Sequence, residues 1–182
     1  MPFDPEHQHR HSIRLKGYDY SQARAYFITL VTHHRQCLFG NILGNEMRLN
    51  PVGKMVLREW MRLVSRFPGI NLDEFIVMPD HLHGIIVLSN DKDSGAKYVA
   101  GPGVVNNPTL DQKRYGVTGV PLVAGSIPVI VRAFKSAAAF RYHIMANNND
   151  PLWLRNYYEH IIRDEEDLDR IRRYIAGNPA KG

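Results

Sequence analysis

Apolar positions recur along the chain with two different periods, and the changes of period mark the elements. Residues 26–32 (YFITLVT) are rich in β-branched and aromatic side chains and predict a first core strand. Residues 37–50 (CLFGNILGNEMRLN) hold two short apolar runs about Gly44-Asn45, which predicts a hairpin. Asn50-Pro51 then supplies a cap and a first-turn proline. Val52, Val56, Trp60, Leu63 and Val64 return at helical spacing, predicting a helix to about Arg66, which Phe67-Pro68-Gly69 stops. Lys54, Arg58 and Arg62 repeat every four residues beside that stripe.

Residues 75–88 (FIVMPDHLHGIIVL) read as one buried strand interrupted by two histidines, with residues 70–74 leading in. Pro79 cannot donate to a ladder, so a sheet edge or bulge is expected just before the pair. Residues 89–125 are full of Asn, Asp, Gly, Pro and Lys without a sustained period. They read as a long mobile insertion. Residues 126–146 predict a helix capped by Ser126, with Ile130, Ala133, Phe134, Ala137, Ala138 and Arg141 on or near one face and Arg132, Lys135 and Ser136 towards another. Residues 153–162 (WLRNYYEHII) suit a strand in which Tyr157 and Tyr158 are either core residues or base-stacking platforms. The last helix, residues 164–176, is capped by Asp164 and carries acids in its first turn and Arg172 and Arg173 late. Its apolar stripe is Leu168, Ile171 and Ile175.

Composition narrows this picture. A chain of 182 residues without an internal repeat implies one domain, residues 26–182, behind a polar arm, residues 1–25, rich in His and Arg. The net charge of +5 points to a polyanionic partner, most simply nucleic acid. Arg14 and Lys16 in the arm are candidates for touching its phosphates, as are Arg132 and Lys135 on the helix. Cys37 is the only cysteine, which excludes an intrachain disulfide and a cysteine metal site. No apolar run approaches the ~20 residues of a membrane span, so a soluble, cytoplasmic protein without a membrane partner is expected.

Two pairs of residues carry candidate chemistry. On a strand, His81 and His83 point to the same side, roughly 7 Å apart at Cα, and can converge on one divalent cation. Their apolar flanks make two polar side chains there costly without partners. Tyr174 and Asn178 stand one helical turn apart on one face. A phenol is a poor nucleophile until it loses its proton near pH ~10, and a divalent cation that polarises a phosphoryl group changes that balance. Asn178 could add a carbonyl oxygen to the cation. Each residue also has a plain explanation: wet-face histidines, a packed helix tyrosine, a helix-end asparagine.

The whole pattern resembles a known family. His81-Leu82-His83 after Met78-Pro79-Asp80 looks like the HUH motif. The run from Asn156 to Glu165, then Arg173-Tyr174-Ile175 and Asn178-Pro179, resembles the REP-associated tyrosine transposases, within the HUH single-tyrosine superfamily acting on single-stranded DNA. The opening HSIRLKGYDYSQARAYFITLVTHHRQCLFG and the helix core VRAFKSA extend the likeness over nearly the whole chain. The resemblance implies an α+β, ferredoxin-like (RRM-like) sandwich with a central antiparallel sheet. It implies that His81, His83 and Asn178 bind Mg²⁺ or Mn²⁺ and that Tyr174 is the nucleophile, with Tyr157 and Tyr158 as rivals. The activity implied is cleavage and rejoining of single-stranded or hairpin DNA through a 5′-phosphotyrosine, by a monomer or a homodimer. A DNA hairpin-binding regulator without chemistry and a hydrolase using an activated water are the alternatives.

Overall fold

The computed structural model describes residues 18–89 and 125–178. Its elements are β1 (Ala25–Val31), β2 (Gly40–Leu43), β3 (Glu46–Leu49), α1 (Pro51–Met61), a single-turn α2 (Leu63–Arg66), β4 (Ile70–Val77), β5 (His81–Leu88), α3 (Ile127–Ala146), β6 (Tyr158–Ile161) and α4 (Glu165–Ala176). One antiparallel sheet runs β4-β5-β1-β6, and β2 and β3 form a separate hairpin. With that hairpin set aside, the order β1-α1-β4-β5-α3-β6 on this sheet is the ferredoxin-like arrangement that was expected.

Local chemistry explains the element ends. Gly44 and Asn45 both have positive φ (57° and 64°), the mirror-image turn that matches strand twist. The Asn50 side chain accepts from Gly53 N–H (2.9 Å) and donates to Leu38 O (3.0 Å), so it caps α1 and ties it to the preceding segment. Asp164 caps α4 by accepting from Asp167 N–H (2.8 Å). Ser126 stands at the start of α3 with extended backbone, but its side chain makes no capping bond.

Three expectations change. The stretch 75–88 is not one strand: it breaks into β4 and β5 around Pro79-Asp80. Met78 N–H donates to His81 O across the turn (2.8 Å), while the carbonyls of Pro79 and Asp80 accept from Phe39 and Thr32. A proline that cannot join a ladder is accommodated by reversing the chain. The bulge lies earlier, where register shifts between Leu72 and Phe75; the extra residue lets both turn to the same side of the sheet. The strand in residues 153–162 is confined to β6, and Trp153 makes only an isolated bridge to Thr32. Of the segment expected to be an arm, residues 1–17 lie outside the described residues, and Tyr18 and Tyr20 pack against the core. The expected insertion lies outside them almost entirely. Among the described residues no helix is long and apolar enough to cross a membrane.

The sheet buries both faces. Tyr26, Ile28 and Leu30 of β1 and Leu82, Ile86 and Leu88 of β5 face α1 and α3 in the main core. Phe27 and Ile85 face the other way and meet Ile171 and Ile175 of α4. Gly84 permits the first packing. A Cβ built there would overlap the fully buried Trp60 ring. Gly84→Ala is therefore expected to cost about 1–3 kcal/mol. A lower urea midpoint with an unchanged slope would report it; an unchanged midpoint would mean that Trp60 moves aside freely.

Candidate functional site

Antiparallel register sets the site. Thr29 stands opposite His83 and Val31 opposite His81, so alternation sends both imidazoles to the α4 face of the sheet. Their ring centroids lie 4.5 Å apart. Each ring is held through Nδ1: His83 by Thr29 Oγ1 at 2.8 Å, His81 by Asp80 Oδ1 at 2.5 Å. Arg35 Nη1 lies 3.8 Å from the other Asp80 oxygen. The Nε2 atom of His83 lies 3.4 Å from the Tyr174 hydroxyl. Phe27 stacks on His83 (5.3 Å, 29°) and meets Tyr174 edge-on (6.1 Å, 88°).

Two kinds of contact fix α4 over this face. Ile171 and Ile175 are buried against Phe27, Ile85 and Ile162. At the sheet's edge, Arg172 Nε and Nη2 donate to the two carboxylate oxygens of Asp73 on β4 (2.8 and 2.7 Å). This fork holds the Asp73 carboxyl below its ordinary pKa, chiefly through the Arg172 hydrogen bonds. On the other side His160 Nε2 lies 2.7 Å from Asp167 Oδ2, joining β6 to the first turn of α4. Tyr174, two residues past Arg172, thus projects over the histidine strand while staying 42% exposed.

Protonation follows from burial. His83 is 5% exposed, and burial, then the neighbouring His81, pushes it down to about 4 against the opposing pull of Asp80. It is neutral at physiological pH, the form that ligates metals. With Nδ1 engaged by Thr29, its Nε2 is the nitrogen presented to Tyr174 and to any ligand. Partners of this kind orient metal-binding histidines. Among the described residues no group of three His, Cys, Asp or Glu side chains is placed to hold a metal. Among the described residues a third protein donor would be of another type. Asn178, buried one turn beyond Tyr174, is of that type. The donor set of two imidazoles and an amide oxygen fits a divalent cation that keeps open positions for phosphate oxygens.

The other expected site residues fall elsewhere. Arg14 and Lys16 lie outside the described residues. Arg132 and Lys135 sit on α3, across the sheet from the histidines, and Lys135 Nζ donates to the carbonyls of Leu154 (2.6 Å) and Arg155 (2.9 Å). Burial pushes that ammonium down to about 8. Tyr157 packs against the main core, whereas Tyr158 meets Phe27 on the histidine side. Sequence reasoning missed Thr29, Phe27 and the Asp73–Arg172 fork. The period-2 pattern of YFITLVT puts Phe27 and Thr29 on one face, but only strand register shows what they touch.

Comparison with solved structures bears on the fold. The chain has the fold of a REP-associated tyrosine transposase solved bound to a REP hairpin: TM-score 0.57 and 16% identity, over 93% of this chain and 74% of that one. A putative transposase of Deinococcus radiodurans R1 aligns at 18% identity over 90% of this chain and 95% of its own, with a TM-score of 0.41. No family model matches. In sequence, an uncharacterized protein of Haemophilus influenzae Rd is 39% identical over 174 residues, 94% of this chain and 88% of that one. The chain belongs to the same family as that protein.

The depressed His83 pKa has a measurable consequence. Its folded value of about 4 lies below the ~6.5 of an unfolded histidine, so between those values the unfolded chain binds the extra proton. The stability is fully present above pH ~6.5 and lost as pH falls to about 4, by roughly 3 kcal/mol. Urea midpoints of chelator-treated protein should drop across that window, and less in His83→Gln. Equal slopes in the two proteins would place the titration elsewhere.

Proposed function

We propose that this chain is a transposase-like, metal-dependent endonuclease and strand transferase acting on single-stranded DNA at hairpin-flanked sites, with Tyr174 as nucleophile. The observation that carries this reading is the 3.4 Å approach of the Tyr174 hydroxyl to His83 Nε2, where the Nδ1 atoms of both histidines are occupied by Thr29 and Asp80. The fold shared with a transposase solved on a REP hairpin supports DNA of that kind as the partner.

The chain's own residues divide the work. Phe27 and Ile171 keep the floor of the site apolar. Thr29 and Asp80 set the two imidazoles, and the Asp73–Arg172 fork sets the helix that carries the tyrosine. Tyr174 forms a bond from its phenolic oxygen to phosphorus, and the bond from phosphorus to the 3′ oxygen breaks. The products are a 5′-phosphotyrosine and a 3′-OH, and reversal on another 3′-OH joins strands. Mg²⁺ or Mn²⁺ held by His81, His83 and Asn178 would neutralise charge on the transferring phosphoryl group.

Covalent trapping tests this directly. A labelled hairpin oligonucleotide from DNA flanking the gene, mixed with protein and Mn²⁺, should migrate with the protein on a denaturing gel. The adduct should vanish with chelator, in Tyr174→Phe and in His81→Ala. Cleavage that survives Tyr174→Phe would mean a water nucleophile, and binding without cleavage a hairpin-binding regulator. A second expectation concerns Thr29. Thr29→Val, which keeps shape and removes the hydroxyl, should weaken Mn²⁺ binding by about 10–100-fold in calorimetry without DNA, and Thr29→Ser should restore it. Equal affinities would remove Thr29 from the site.

A further inference from the structure

Two adjacent tyrosines where the chain enters β6 have opposite fates. Tyr157 turns into the main core. Tyr158 turns to the face that carries the histidines and is 52% exposed there, among the most open large apolar side chains described. It pairs with Thr29 in β1, which pairs in turn with His83 in β5, so Tyr158, Thr29 and His83 form one row across the sheet. Two strand spacings separate Tyr158 from His83, about 10 Å at Cα. Its ring meets Phe27 edge-on at 6.2 Å, and Tyr174 meets the same ring edge-on from its own side. β6 is an edge strand of the sheet, and the exposed Arg155 and Arg163 bracket it in sequence.

An exposed ring beside a phosphoryl-handling centre, on an open edge flanked by cations, has the makings of a single-strand binding subsite. Phosphates meet guanidinium groups and bases meet π-faces, with little regard to sequence. A phosphodiester at Tyr174 and His83 would leave its neighbouring nucleotide near Tyr158. We propose that Tyr158 is a stacking platform for a nucleobase next to the phosphodiester processed at Tyr174, an inference that rests on the DNA-processing reading above. The role asks nothing of the phenolic hydroxyl, which separates it from a second nucleophile at this position.

Binding measured in chelator isolates the stacking from the chemistry. The probes are a fluorescein-labelled hairpin from DNA flanking the gene with single-stranded dT arms, and the same hairpin with abasic arms. Anisotropy titrations would compare wild type with Tyr158→Ala, Tyr158→Leu and Tyr158→Phe, with thermal midpoints confirming that each is folded. Leucine still covers Phe27 but offers no flat ring. On dT arms, Ala and Leu should bind about 10-fold more weakly, and Phe should restore most of the loss. On abasic arms all four should bind alike. The proposal is overturned if Ala and Leu match wild type on dT arms, if Phe loses as much as Ala, or if the loss persists on abasic arms. Trapping of wild type with Mn²⁺ reads the underlying activity separately: an adduct with no stacking effect sinks this inference alone, and absent binding by wild type sinks both.

Discussion

The pairing register of β1 with β5 governs everything else in this molecule. Thr29 opposite His83 fixes which side of the sheet receives the imidazoles and which receives Leu82, Gly84 and Ile86. A slip by one residue would send the histidines into the main core and its leucine and isoleucine towards α4, since strand side chains alternate with period 2. The cost of burying unpaired imidazoles and of driving other side chains into the space of Trp60 makes that slip prohibitive. The packing that stabilises the fold is thus the same packing that aims the site.

The two faces of the sheet differ in kind. The α1/α3 side holds the larger apolar cluster, closed by Trp60, Phe134 and Trp153, with the buried Glu59 carboxylate ion-paired to Arg141 across the two helices. The α4 side is a smaller cluster with polar edges. It carries His81, His83 and Tyr174, and the Asp73–Arg172 fork and the His160–Asp167 contact tie α4 to it. Precision there comes from hydrogen bonds with defined direction as well as from area buried.

The same division explains the placement of cations. Lys135, which looked available for phosphate, is drawn to two main-chain carbonyls because its ammonium is half-buried beside the 154–155 segment. That contact ties α3 to the segment that leads into β6. Helical periodicity assigns a residue to a side of its helix; it says nothing about which carbonyls will lie opposite.

Local chemistry in the sequence was enough for much of this. Gly44-Asn45, Asn50-Pro51 and Asp164 announced a turn and two helix starts, because φ preferences and capping act over a few residues. The alternation in HLH put His81 and His83 on one side; the spacing of Tyr174 and Asn178 suggested one helix face, but α4 ends at Ala176, before Asn178. Together with the family resemblance this named the ferredoxin-like fold and singled out His81, His83 and Tyr174, which the structure brings together. Tertiary structure alone decided that residues 75–88 reverse at Pro79-Asp80, that Thr29 holds His83, that Asp73 holds Arg172 ninety-nine positions away, and that Tyr157 packs half-buried against the main core while Tyr158 is open. The reason is the range of the interactions: periodicity fixes a side chain's face within its own element, while its neighbours depend on register and docking between elements distant in sequence.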